Sequence, residues 1–449
     1  MDRIALEIAA MIVENLVEYD LGPGPYWEYS EIPGRHLCCG SYDWEDRRPP
    51  WIVLTEDTRP TIFNARLSCQ KLYAASTKSF ATLLGERVFC FTKAGTDDLR
   101  AIGNCPRLTP YITTLTIGRT GLRVPAAEDA LQSLLSPLDA PDQDRLKKTY
   151  KESVNWQITN LPHVQDRLAS LFRAFPNLDG IRITSKWRPY PLVPWLSIQD
   201  AKMFHRGYCI WKEDDVLDQY HESCGRDTLV YDIQNHRALS STAITQALVQ
   251  AKATMTDLRV FDIHPEYLFT QEMVFANLRT LRITVPVYRT IVGRPTPLQP
   301  VEMLAKVIVA ATSLQDLALN ALLDYVHTAP ILTALEDRHT LRCIQFTGRF
   351  DFEEDELLEF VAHHSQNLRC LIFEGSSLYG SWPAALRTIG HLTKDRLEFF
   401  WAFWVKQWDP ELDVDRDFTE AQDFELTDDD LAGFSCPCEV SAHPQDRGY

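Results

Sequence analysis

Between Ile112 and Phe403 one short arrangement of apolar positions recurs, apolar-x-x-apolar-x-apolar, in which the last two share one face of a strand because side chains alternate along extended backbone. The clearest copies are Ile112/Leu115/Ile117, Leu178/Ile181/Ile183, Leu258/Phe261/Ile263, Leu278/Leu281/Ile283, Leu314/Leu317/Leu319, Leu341/Ile344/Phe346, Leu368/Leu371/Phe373 and Leu397/Phe400/Ala402. Most are preceded by a stretch with helical spacing. Val164, Leu168, Leu171, Phe172 and Phe175 form one apolar stripe, and Val301 to Ser313, Ala329 to His339 and Glu353 to Asn367 read the same way. The pattern predicts helix followed by short strand, many times over.

From Leu258 onward the copies start 20, 36, 27, 27 and 29 residues apart, near the ~20–29 residues of a leucine-rich repeat apart from one long step. A unit of this kind cannot bury its apolar side alone, so neighbours are expected to stack. The fold class expected is therefore α/β: an irregular leucine-rich-repeat-like solenoid over residues 94–408, with its strands inside the curve. An ordinary α/β domain is the competing architecture. On the strand face turned away from the helices the alternation places Thr114, Thr116, Arg182, Asp262, Arg282, Thr284, Gln345 and Glu374, followed near the end by Phe399, Trp401 and Phe403. Arg182, Asp262, Arg282, Gln345, Glu374, Phe399, Trp401 and Phe403 are the expected contacts to a protein substrate, since large aromatic and arginine side chains dominate interface energetics.

Upstream lies a different pattern. Ile8, Ile12 and Leu16 form one stripe of a short helix, Ile4 and Glu7 lie in the same run, and a second segment reads Ala65-Arg66-Leu67-Ser68-Cys69-Gln70-Lys71-Leu72-Tyr73-Ala74-Ala75. This pair resembles the first and third helices of an F-box, and Arg87 to Ile117 resembles the junction between F-box and repeats in large fungal families of F-box proteins with leucine-rich-repeat-like bodies. The resemblance implies an F-box-like module over residues 1–93, interrupted at about 18–60 by an irregular aromatic-rich insertion. It implies docking on the Skp-type adaptor of a cullin-RING ubiquitin ligase through Ile4, Glu7, Ile8, Ile12, Leu16, Leu67 and Leu72. It implies, further, that the body presents an unidentified protein substrate. Where the family carries Pro after the first apolar residue this chain has Ala5, and the tryptophan of the third helix is absent.

Charge refines the picture. The net formal charge is −17, and residues 409–449 hold 13 acids against Arg416 and Arg447, so the tail carries −11 and the first 408 residues only −6. A bulk grip on nucleic acid or anionic lipid is not expected, because phosphate neutralisation needs clustered Lys and Arg. The tail reads equally as a self-repelling solvated segment or as one that folds on a basic partner. No run of about 18 apolar residues suggests a membrane span, and the N-terminal run carries Asp2, Glu7 and Glu14, unlike an export signal. Eleven cysteines, an odd number, then point to free thiols in cytoplasm or nucleus.

Motifs for chemistry are sparse. Asp413, Asp415 and Asp417 imitate a calcium loop but have Phe418 where Gly is needed and Phe424 where Glu is needed. His36/Cys38/Cys39 and Cys436/Cys438/His443 lack the spacing of a structural zinc site. His221 and Cys224 have no orienting third group in view, and His363-His364 reads as a favourable cation at a helix C-terminus. The expectation is a non-catalytic protein without metal or cofactor. The alternatives are an interaction scaffold that does not bind the ligase adaptor, and an enzyme of an unrecognised class.

Overall fold

The computed structural model describes residues 5–17, 54, 58–118, 139–184, 241–251, 254–261, 275–285, 300–393, 396–403, 405–408 and 422–423. The described residues up to Met255 form one compact unit and those from Thr256 a second.

Unit one opens with four helices, α1 (Leu6–Asn15), α2 (Thr58–Ser68), α3 (Gln70–Ala75) and α4 (Thr77–Gly85). There follow β1 (Val88–Cys90), α5 (Lys93–Gly103), β2 (Thr114–Gly118), α6 (Ala140–Asn160), α7 (Val164–Phe172), β3 (Gly180–Thr184) and α8 (Ser241–Ala251). The three strands run parallel in chain order, β1 against β2 and β2 against β3. Helix starts follow from capping chemistry: Thr92 Oγ1 accepts the Gly95 N–H at 3.1 Å ahead of α5, and Asp139 accepts the Asp142 N–H at 2.9 Å ahead of α6. The buried stripe Leu168, Ala169, Leu171 and Phe172 of α7 shares the core with Leu115, Ile117, Ile181 and Ile183.

Unit two contains β4 (Asp257–Phe261), β5 (Thr280–Thr284), α9 (Pro300–Ala310), β6 (Asp316–His327), α10 (Ala329–Leu335), β7 (Cys343–Glu353) and α11 (Glu354–His364). It continues through β8 (Cys370–Glu374), β9 (Ser377–Tyr379), α12 (Trp382–Thr393), β10 (Phe399–Phe403), β11 (Lys406–Trp408) and β12 (Gln422–Asp423). Strands β4 to β7 pair parallel in chain order, and then the sheet forks. The first half of β7, Cys343–Thr347, pairs with β8, which carries β10; the second half, Asp351–Glu353, pairs with β9, which carries β11 and then the antiparallel β12.

A recurring device admits six of the strands, β3, β5, β6, β7, β8 and β10. Two successive N–H groups donate to one carbonyl of the preceding unit: Asp179 and Gly180 to Thr113, Arg279 and Thr280 to Thr256, Gln315 and Asp316 to Arg279. Arg342 and Cys343 do the same to Gln315, Arg369 and Cys370 to Arg342, and Glu398 and Phe399 to Arg369, all at 2.6–3.1 Å. Side chains just before the strand add to it, with Asn177 Nδ2 donating to the Pro110 carbonyl (2.7 Å), Thr340 Oγ1 to Leu314 (2.6 Å) and Asn367 Nδ2 to His339 (2.8 Å). Donors ahead of the strands thus satisfy the carbonyls of the neighbouring loops.

The α/β class stands, but the leucine-rich-repeat-like solenoid is corrected. A stacked solenoid needs equal units and an open inner face. Here successive strands have 5, 12, 11 and 5 residues from β5 to β8, the sheet forks at β7, and it ends antiparallel. One face is the apolar core, with Phe346, Phe352 and Phe373 in contact and Trp382 of α12 at 5.4 Å from Phe373. The other face is closed as well: Ala318, Cys343, Cys370 and Ile372 form a second buried cluster, and Gln345, Thr347 and Glu374 are buried beside it. Parallel strands buried on both faces are the signature of a covered α/β sheet. The recurrent apolar spacing reports a parallel strand and its entry turn, and it carries no information on whether the units are equal.

Leu258 and Val260 of β4 are buried, as is Met255 just before it, and Ile263 of the expected copy lies outside the described residues. Between Gly375 and Gly380 lies the short strand β9. Cys69, Cys90, Cys105, Cys343 and Cys370 are free thiols; burial pushes the Cys90 thiol up to about 12, and Cys343 and Cys370, register partners on β7 and β8, are hydrogen-bonded to each other. Among the described residues no helix is long and apolar enough to cross a membrane.

The fork depends on Gly348. Its φ is 91°, and a Cβ there would run into the Ala321 carbonyl oxygen. Gly348→Ala should lower stability by at least about 2 kcal/mol, from left-handed strain and displacement of β6 together. Urea unfolding checks this, and an unchanged midpoint would show that the β6–β7 contact yields freely.

Candidate functional site

The helical module of unit one divides the apolar residues of α1 into two neighbouring stripes. Ala9 and Val13 are buried at 1% and 3% exposure against Ala75, with Leu72 of α3 packed on the same cluster. Val17, Leu54 and Ile62 form the next cluster, flanked by Phe80 and Leu83. One residue back along the helix, Ile8, Ile12 and Leu16 are 52%, 38% and 55% exposed, and Met11 is 61% exposed. Leu67, at the end of α2, is 85% exposed. Scattered exposed leucines are ordinary, but Ile8, Met11, Ile12 and Leu16 follow one another along α1 as one exposed apolar strip, the kind of surface that marks an interaction site.

The surroundings hold this module rigidly. Glu86, buried at the end of α4, accepts the Leu54 N–H at 2.7 Å and pairs with Arg59 at 3.0 Å. Val17 and Leu54, which flank the intervening segment in sequence, therefore lie in one cluster. Arg66 is stacked 4.0 Å from both the Tyr73 and Phe80 ring centroids and donates to the Tyr73 carbonyl at 3.3 Å. Burial lowers the Arg66 pKa, with Tyr73 opposing the shift. This cation–π sandwich fixes the corner between α2 and α3 from which Leu67 projects. Cys69 caps α3, its sulfur accepting the Leu72 N–H at 3.5 Å. Glu14 pairs with Lys78 at 2.9 Å, an exposed ion pair of small energetic weight.

Of the residues expected to dock the adaptor, Ile8, Ile12 and Leu16 are exposed along α1, Leu67 is exposed on α2, Glu7 is exposed on α1, and Leu72 instead packs against the Ala9/Val13 cluster. Ile4 lies outside the described residues. Met11 was missed, although its offset of three from Ile8 is a visible signal.

The residues expected to contact a substrate are placed differently. Arg182 of β3 is buried at 7% exposure, and in unit two Arg282, Gln345 and Glu374 are buried at 3%, 2% and 6%, so these side chains are not solvent-facing. Gln345 Nε2 donates to Thr347 Oγ1 at 2.9 Å, and Phe399 packs on the Ala318/Cys343/Cys370/Ile372 cluster. Trp401 and Phe403 belong to β10, and Asp262 lies outside the described residues, as do the His36, His221, Asp413 and Cys436 groups. Among the described residues no three His, Cys, Asp or Glu side chains are grouped as metal ligands.

His363 and His364 do close α11, but His364 is no cation there. It is 1% exposed, its ring 4.7 Å from Phe360 and 5.0 Å from His363. Burial, then His363, pushes its pKa down to about 4, with His339 acting in the same sense and the Leu335 carbonyl opposing.

No protein-family model matches this chain. No curated protein is significantly similar to it.

Because His364 folds in its neutral form, its stabilising contribution is complete above the unfolded-state value near 6.5 and is lost as pH falls from there toward about 4. His364→Leu should therefore gain about 3 kcal/mol relative to the native chain between pH 7.5 and pH 4. Urea denaturation of both proteins at the two pH values checks it; a constant difference would mean that His364 does not titrate on unfolding.

Proposed function

We propose that the chain is a non-catalytic adaptor resembling the F-box subunits of cullin-RING ubiquitin ligases. Its helical module docks a Skp-type adaptor, and the remainder of the chain presents a protein substrate. The observation that carries this reading is the exposure of Ile8, Met11, Ile12 and Leu16 on a helix whose packing is done by Ala9 and Val13. Burying such a stripe gives about 25 cal/mol per Å² of apolar surface, and a cluster of four large side chains is ample for a docking hot spot. Free cysteines fit an intracellular site of action, cytoplasm or nucleus. The second reading, a scaffold that does not bind the ligase adaptor, is favoured by Ala5, which stands where the family carries Pro and provides no side-chain cap to α1.

The two readings separate in one experiment. Full-length protein co-expressed with a Skp-type adaptor should capture it, and Ile8→Asp with Ile12→Asp should reduce capture more than tenfold. Both positions are solvent-exposed, so the double variant should keep stability within about 1 kcal/mol. Wild-type protein that never captures the adaptor supports the scaffold. A double variant that unfolds means the stripe is core.

A further inference from the structure

The fork in unit two assembles a second constellation, distinct from the helical module. Between the register pairs Ala321/Gly348 and Val326/Phe350, β6 carries four residues, 322–325, opposite the single residue Arg349. A bulge of this kind re-aims the side chains that follow it. Beyond it Phe350 and Phe352 face the apolar core, so Asp351 and Glu353 point to the opposite face. Their register partners on β9 are Ser377 and Tyr379, and Asp351 also faces His327 on β6. Tyr325 stands at the bulge with the Arg349 guanidinium 5.6 Å from its ring centroid.

The set is acidic and aromatic. Asp351 and Glu353, with neighbouring Glu354, outweigh Arg349 by two charges. Glu354 accepts the Ser381 N–H at 2.7 Å, and Glu353 is the exposed carboxylate of the set. Both phenols feel that charge: burial first and Asp351 next raise Tyr379, with Glu353 adding, while burial and Asp351 raise Tyr325 against the opposing Arg349. Ser377 supplies an independent sign of a ligand, because its hydroxyl is fully buried on the face of Asp351 and has no hydrogen-bond partner. The constellation lies at the carboxyl ends of parallel strands, where α/β sheets place their ligands.

We propose that Tyr325, Asp351, Glu353 and Tyr379 form a recognition site for a basic side chain of a partner polypeptide, an arginine or lysine in an extended segment. Ring faces attract cations and carboxylates accept their N–H groups, so a guanidinium between Tyr379 and Glu353 satisfies both partners. Glu353 at the exposed rim makes the direct contact, with the Asp351 carboxyl, at 2% exposure, beneath it. Arg349 over Tyr325 is the chain's own cation on one of these rings and competes with the partner's. The site is independent of adaptor docking, which belongs to unit one.

The test titrates the full chain with a fluorescein-labelled octapeptide carrying three arginines among serines, followed by anisotropy, with a citrulline version as the uncharged control. The arginine peptide should bind at least tenfold tighter than the citrulline one. Tyr379→Leu with Glu353→Gln should cost tenfold or more at an unchanged thermal midpoint, and Arg349→Ala should strengthen binding. Equal binding by native chain and double variant would assign the peptide to general negative charge, such as the −11 tail, and overturn the proposal. Failure to bind at all, or equal binding of the citrulline peptide, overturns it too.

Discussion

Six of the parallel strands, β3, β5, β6, β7, β8 and β10, are entered through one carbonyl that receives two successive N–H groups, and much of the structure follows from that shared acceptor. It seals the loop backbone where helix gives way to strand, a place where unsatisfied groups cost ~1–3 kcal/mol each. It also fixes register. With Cys343 held to the Gln315 carbonyl and Cys370 to the Arg342 carbonyl, Ile344, Phe346, Leu371 and Phe373 all fall on the helical side and Gln345, Thr347 and Glu374 on the other. A slip of one residue would exchange these sets and bury the wrong face. The ladder tolerates unequal units because it acts only at strand entrances, which is how strands of 5 and 12 residues coexist in one sheet and how β7 divides between two neighbours.

Much of this was legible in the chain. Leu278/Leu281/Ile283, Leu341/Ile344/Phe346 and Leu368/Leu371/Phe373 mark buried strand positions because burial on one face imposes period two. The closed second face escaped: whether Arg282 or Gln345 meets solvent is decided by what lies over the strand, not by the strand's own residues. The fork was invisible because it turns on a single glycine, Gly348, whose positive φ has no periodic signature. The same limit applied to α1. Stripes 8/12/16 and 9/13/17 are both apolar, and periodicity predicts a buried stripe without choosing between them.

That choice has functional weight. The chain packs α1 with its smaller residues, Ala9 and Val13, and leaves the larger Ile8, Met11, Ile12 and Leu16 outside, the reverse of what maximal burial in a free-standing protein would select. Small residues let α1 and α3 approach closely, and Arg66 stacked on Tyr73 and Phe80 fixes the corner beyond α2. In the sheet the polar side chains are closed in, and in the helical module the apolar ones are left open. An interaction protein that docks through helices and uses its sheet as a rigid support would be organised in this way.

Hydrogen-exchange mass spectrometry of the full chain with and without a Skp-type adaptor tests this most directly, because it reads each backbone segment separately. The account predicts new protection concentrated in Leu6–Val17 and around Leu67, with the strands β5 to β8 already slow and unchanged. Protection that appears in the strands while Leu6–Val17 exchanges as before, or no change anywhere at saturating adaptor, would contradict it.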